Sequence, residues 1–281
     1  MKGSITILLP TDFSESARNA MRYGLQLYKG RGCNFIMLNS VEPTTSSSSA
    51  GMIMNMSEIL TKDSLEGLKK DKEWIEALPE AEGCSVETVQ MFGEFLGCVN
   101  HIIKDRSIDM VIMGTTGASG LKEFFVGSNA ASVILDVNLP TLTVPFNAKF
   151  EGISKIVFAT DFNLFKSLDH LQFLKEIAIR REAQLTLLHV TKSSSKISEE
   201  NKAKSRDHLL KYFEDCSVNV EYSKNDDTVE GIQAYMRKNT DADILAMVPR
   251  KKNFFEKIFS KSVAKKVAYH SRVPMLTLQQ H

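Results

Sequence analysis

Ile108-Asp-Met-Val-Ile-Met-Gly-Thr-Thr-Gly-Ala-Ser-Gly-Leu-Lys-Glu-Phe-Phe-Val-Gly-Ser128 is the stretch on which the reading of this chain turns. Its first six residues, Ile108 to Met113, form an apolar run of the kind that makes a buried strand. Gly114, Gly117, Gly127 and Ser128 follow in the spacing G-x2-G-x9-G-S, and Asn129 to Val137 continues with helical periodicity. A glycine-rich loop between a strand and a helix N-terminus is suited to holding phosphate. Missing side chains let the backbone come close, N–H groups point at the anion, and the helix dipole favours negative charge. The pattern therefore points to a nucleotide.

Outward from this stretch, the chain is written twice. Ile5-Thr-Ile-Leu-Leu-Pro-Thr-Asp-Phe-Ser14 is echoed by Ile156-Val-Phe-Ala-Thr-Asp-Phe-Asn163, a shift of 149 positions from Asp12 to Asp161. Val41 and Val190, which close the next apolar run in each half, are separated by the same 149 positions. Pro140-Thr-Leu-Thr-Val144 is matched by Pro274-Met-Leu-Thr-Leu278 at a shift of 134. The fall from 149 to 134 puts a 15-residue excess in the first half, between its second and fourth strands. Thr44-Thr-Ser-Ser-Ser-Ser-Ala-Gly51 lies in that interval and reads as part of a flexible loop. A break near Asn147 to Gly152 leaves two domains, 1–147 and 152–281.

Each half alternates short apolar runs with amphipathic segments. After Ser14, an N-cap residue, Ala17, Ala20, Met21, Gly24, Leu25 and Tyr28 form the apolar stripe of a helix that Gly30 stops. Leu171, Leu174, Ile177 and Ala178 repeat the stripe in the second half. The alternation predicts an α/β fold of two tandem doubly wound domains, each with a five-stranded parallel sheet and four flanking helices. In such a sheet the ligand crevice lies at the carboxyl ends of the strands, where strand order reverses.

The composition agrees with an ordinary globular chain. Of 281 residues, 43% are hydrophobic and 25% charged, and Lys plus Arg number 35 against 34 Asp plus Glu. That balance gives no support for nucleic acid or an acidic membrane surface as partner. No apolar stretch approaches the length of a membrane span, and the chain enters a strand pattern with no secretion signal, so a cytoplasmic location is expected. Cys33, Cys84, Cys98 and Cys216 show no metal-ligand spacing and read as reduced packing residues.

With these residues in view, the chain resembles the universal stress protein family in its tandem two-domain form. The resemblance rests on Pro10-Thr-Asp-Phe-Ser14, Val41, the G-x2-G-x9-G-S run and Pro140, in that order and partly repeated. It implies a sheet of strand order 3-2-1-4-5 that binds ATP, with Mg2+ carried by the triphosphate. Carried onto this chain, the turn Pro10, Thr11 and Asp12 together with Val41 would face adenine and ribose. Met113, Gly114, Thr115, Thr116 and Gly117 would wrap ribose and phosphates, and Gly127, Ser128 and Asn129 would hold phosphates at the helix start. The residues themselves allow the same roles: Asp12 as an acceptor at a strand end, Val41 as an apolar surface, Ser128 as a donor beside unpaired helix N–H groups. They also allow a plainer one, with Asp12 a turn residue and Val41 core. The resemblance further implies association through the last strands, 141–144 and 275–278, as an intramolecular pseudo-dimer that can pair again as a homodimer.

The second half keeps Asp161 and Val190 but loses the glycines. At the shift of 134, Gly114 becomes Val248, Gly117 becomes Lys251, Gly127 becomes Lys261, and Ser128 remains serine as Ser262. Pro249 removes a backbone donor, and side chains at three glycine positions obstruct close approach. This half is expected not to bind ATP in the family manner. Its basic residues, from Arg250 to Lys266, read as a solvated face or as a site for another anion, and Phe254, Phe255 and Phe259 as loop packing. No metalloprotease, P-loop or nucleophile-elbow motif is present. Among the histidines, His189 at a strand end is the most site-like, with a structural role as the plainer account. The expected function is a nucleotide-binding regulator; the alternatives are a slow ATPase or nucleotidyl-transfer enzyme, and a scaffold without ligand.

Overall fold

Apolar runs become parallel strands in a computed structural model that describes residues 4–42, 50–115, 127–162, 167–191, 199–248 and 273–279. These residues fall into two compact units, one ending at Ala148 and one beginning at Lys149.

The first unit runs β1 (Ile5–Pro10), α1 (Glu15–Tyr28), β2 (Cys33–Val41), α2 (Ala50–Glu76), β3 (Ser85–Phe92), α3 (Phe95–Asp105), β4 (Met110–Gly114), α4 (Ser128–Asp136) and β5 (Thr141–Val144). Its sheet order is β3-β2-β1-β4-β5, and every pair is parallel. Order therefore reverses between β1 and β4. Residues 7–9 of β1 are wholly buried because helices cover both faces of the sheet, and this is why the strands read as continuous apolar runs rather than alternating ones. Leu8, Ile36, Leu38 and Val111 meet Val99 and Ile102 of α3 and Val133 of α4 in one core layer. Each such side chain, fully withdrawn from water, contributes about 1.5–3 kcal/mol. Ser14 caps α1 through the Ala17 N–H, and α1 stops before Gly30, which takes the left-handed φ of +81°.

The second unit repeats the plan with β6 (Lys155–Ala159), α5 (Gln172–Arg180), β7 (Gln184–Thr191), α6 (Glu199–Tyr212), β8 (Val218–Lys224), α7 (Thr228–Lys238), β9 (Ile244–Met247) and β10 (Met275–Thr277). Its order, β8-β7-β6-β9-β10, is again 3-2-1-4-5. The expected fourth helix of this half falls on 249–272, outside the described residues. Matching side-chain bonds mark the repeat. Asp109 accepts from the Thr6 N–H at 2.9 Å, and Asp243 accepts from the Lys155 N–H at 2.9 Å. Both carboxylates pin the start of the fourth strand to the first.

Two details of the repeat differ from the sequence expectation. The excess of the first half is mostly helix: α2 has 27 residues and α6 has 14. Ala50 and Gly51, read as the end of a loop, belong to α2. Residues 52–76 are rich in strong helix formers, and i,i+4 pairs Lys62–Glu66, Lys69–Glu73 and Lys72–Glu76 line the exposed side. The second difference is a slip of one residue at the second strand. Pro10 pairs with Leu38, whereas Ala159 pairs with Leu188, so Val41 corresponds to Thr191 and not to Val190. The turn bonds agree: Gly93 donates to the Val41 carbonyl, and Asn225 donates to that of Thr191. A one-residue slip turns a strand side chain to the other face. Val190 accordingly packs closely against Gly231 on α7.

Candidate functional site

The carboxyl end of β1 is a heavily braced turn. Thr11 is buried; its N–H donates to the Leu38 carbonyl at 2.9 Å, and its own carbonyl accepts from Asn39 Nδ2 at 2.7 Å. Thr11 Oγ1 donates to Asp71 Oδ2 at 3.3 Å and accepts from the Phe13 N–H at 3.0 Å. Phe13 sits at φ +64°, a left-handed conformation unusual for an aromatic residue, so the hydroxyl brace offsets local strain. Asp12, between them, is exposed, and its Oδ1 accepts from the Ser14 N–H at 3.1 Å. Asp12 is thus a turn residue, and it stands at the carboxyl end of β1, where strand order reverses.

Behind this turn lies a polar cluster that sequence reasoning missed. Asp71 of α2 is 0% exposed and accepts from Arg18 Nε at 2.7 Å; Ser64 of α2, also buried, donates to Asn39 Oδ1 at 2.7 Å. Their only trace in the sequence is polar residues at helical spacing inside the buried stripe Ser64, Leu68, Asp71 and Ile75. Without the fold such residues are indistinguishable from solvent-facing ones.

Val41 ends β2, 6% exposed, in register with Phe92 of β3, which is 54% exposed. Gly93, at φ +130°, turns the chain from β3 toward α3. Glu94 caps α3 by accepting from the Leu96 and Gly97 N–H groups, and these bonds hold its carboxyl below the ordinary carboxylate range.

Met113 is buried and Gly114 ends β4 beside β5. A β-carbon on Gly114 would lie 2.5 Å from Ser16 Oγ and 2.9 Å from the Ser16 carbonyl oxygen. The glycine at this position therefore lets α1 approach β4, a packing reason independent of any phosphate. Thr115 follows; its carbonyl accepts from the Gly127 N–H at 2.6 Å, joining the two ends of the glycine-rich loop. Thr116 and Gly117 lie outside the described residues. At the start of α4, Gly127 offers no side-chain cap, and the first turn holds no acidic residue, with Ser128 and Asn129 exposed. Helices α1, α3 and α7 are capped by Ser14, Glu94 and Asp227. Among the described residues, the N–H groups at the start of α4 thus have no side-chain cap of the kind those helices carry.

In the second unit Thr160 Oγ1 again accepts from the next-but-one N–H, that of Phe162, which again has positive φ, +50°. The carbonyl of Thr160 is met by His189 Nδ1 at 3.0 Å. His189 is buried; its ring lies 5.0 Å from that of Phe162 and 6.1 Å from that of Tyr222. A structural role is what this packing describes. Lys251, Lys261 and Ser262, together with Phe254, Phe255 and Phe259, fall outside the described residues.

Fold and turn geometry together define a tandem doubly wound α/β protein whose first-unit strand order reverses between β1 and β4. The model of the Universal stress protein family matches residues 5–145 and 152–279, and the chain belongs to that family. It is 28% identical over 140 residues to Universal stress protein MJ0531 of Methanocaldococcus jannaschii, a match covering 49% of this chain and 80% of the relative. A second protein of that organism, Universal stress protein MJ0577, is 28% identical over 150 residues, covering 49% of this chain and 93% of its own. A universal stress protein from Archaeoglobus fulgidus DSM 4304 shares the fold across 98% of both chains, with a TM-score of 0.72 and 19% identity. Among the described residues, no helix is long and apolar enough to cross a membrane.

Proposed function

We propose that the first unit binds ATP and that the protein is a nucleotide-responsive regulator of the cytoplasm rather than a fast enzyme. The observation that carries this is the start of α4: an uncapped, acid-free helix N-terminus, with Ser128 and Asn129 exposed, joined to the end of β4 by the Thr115–Gly127 bond. Such an end favours a phosphate group. Further support comes from Asp12 at the carboxyl end of β1, where strand order reverses, and from the Gly114, Gly117, Gly127 and Ser128 spacing. Pro10, Thr11, Asp12 and Val41 would take the base and ribose; Met113 to Gly117 and Gly127 to Asn129 would take ribose and phosphates. Mg2+ would arrive on the triphosphate, held mainly by phosphate oxygens and water. The second unit, lacking these glycines, would not bind ATP in this manner. Association through the last strand of each unit belongs to the same reading, and sedimentation of the full chain tests whether two chains pair.

The test is direct. ATP at a hundred times its dissociation constant raises the stability of the first unit by about 2.7 kcal/mol if it binds only the folded form. Gly117→Lys and Gly127→Lys, which copy the second half, remove that shift. Variants that respond to ATP as wild type does would sink this assignment, as would native protein that carries no adenine nucleotide by mass spectrometry and binds none added.

A further inference from the structure

We infer that Ser64 and Asp71 on α2 are positioning residues for the base end of the nucleotide, acting through Asn39 and Thr11 to hold the turn that presents Asp12. This rests on the nucleotide reading of the first unit.

Thr11 is the residue through which α2 reaches Asp12. Its side chain is gripped by Asp71 and its carbonyl by Asn39, which Ser64 orients in turn. The peptide that leads into Asp12 is therefore held on both sides from α2, directly by Asp71 and through Asn39 of β2 by Ser64. On the far side of Asp12, Phe13 is seated against the same helix: a β-carbon on Gly67 would lie 2.6 Å from its ring. Thr11 and Phe13, the two neighbours of Asp12, are thus both referenced to α2.

The chemistry of the cluster points the same way. Asp71 is a carboxylate withdrawn from water, paired at 2.7 Å with an Arg18 whose side chain is 42% exposed, and a half-exposed ion pair of this kind adds little stability. What it does supply is orientation, because each bond specifies a direction. The second unit provides the contrast. There His189 takes the place of Asn39 against the threonine carbonyl, and its ring lies among those of Phe162 and Tyr222. The extra length of α2 over α6 accompanies the polar version.

Calorimetric titration of the full chain with Mg-ATP, alongside thermal unfolding without ligand, tests the inference. Ser64→Ala and Asp71→Ala are compared with Ile102→Val, a core truncation in α3 on the other face of the sheet. Both α2 variants are expected to weaken ATP by about tenfold or more beyond any change in Ile102→Val. Asp71→Asn, which keeps an acceptor for the Thr11 hydroxyl, is expected to stay within about threefold of wild type. Wild-type affinity in Ser64→Ala and Asp71→Ala, or a loss no greater than that of Ile102→Val, overturns the inference. So does an Asp71→Asn as weak as Asp71→Ala, which would assign the effect to the Arg18 ion pair. Ser64→Ala removes a single hydroxyl and keeps the test valid if Asp71→Ala does not fold. A wild-type chain that binds no ATP would instead remove the nucleotide reading, and this inference with it.

Discussion

Asn39 and His189 do the same job in the two units: each turns a side-chain nitrogen to the carbonyl of the threonine that follows the first strand, at 2.7 Å to Thr11 and 3.0 Å to Thr160. The carbonyl can only accept, so Nδ1 of His189 carries the proton. The amide leaves its oxygen for Ser64, whereas the imidazole brings an aromatic face to Phe162. One position in the repeat thus carries an amide bonded to a serine in one unit and an imidazole set among aromatic rings in the other.

His189→Asn should keep the donor and lose the ring contacts, costing about 1–2 kcal/mol. His189→Ala leaves the buried Thr160 carbonyl without this donor and should cost about 2–4 kcal/mol. Denaturant unfolding of the two variants checks the order; equal losses would show that the hydrogen bond contributes nothing.

Gly114→Ala forces a methyl group onto the backbone and side chain of Ser16. A loss of about 1–3 kcal/mol is expected from overpacking, measured on protein free of nucleotide. Unchanged stability without ligand, combined with lost ATP binding, would assign this glycine to phosphate alone.

The Glu94 carboxyl is held low by the Leu96 and Gly97 N–H groups. A depressed pKa in the folded state stabilises α3 above the unfolded value of about 4.3, and this contribution is lost as pH falls through the lower folded value. The Glu94 side-chain resonance followed by NMR should titrate below the ordinary glutamate value. Glu94→Gln should flatten the acid limb of the stability curve near that pH.

Tyr235, buried on α7, has its hydroxyl pKa pushed up to about 12, first by burial and then by the neighbouring negative charge of Glu221. A raised folded pKa means stability intact below the unfolded value of about 10 and declining as pH rises toward 12. Ultraviolet titration should show a late-ionising component that Tyr235→Phe removes.

The repeat and the helix stripes were legible because each rests on residues near one another in the chain, while the strand order came with the family resemblance. Apolar runs form strands, and Ser14 and Gly30 mark the ends of α1 as their chemistry dictates. The family was legible too, since its motifs are short and ordered. The one-residue slip that pairs Val41 with Thr191 was not, because a strand's register is set by hydrogen bonds to its neighbours and not by the spacing of like residues. Nor was the polar brace of Ser64, Asp71, Asn39 and Thr11. A serine or aspartate on a helix reads as solvent-facing until packing from α1 and β1 shuts the water out, and only then does its bond to a residue 60 positions away hold a turn in shape.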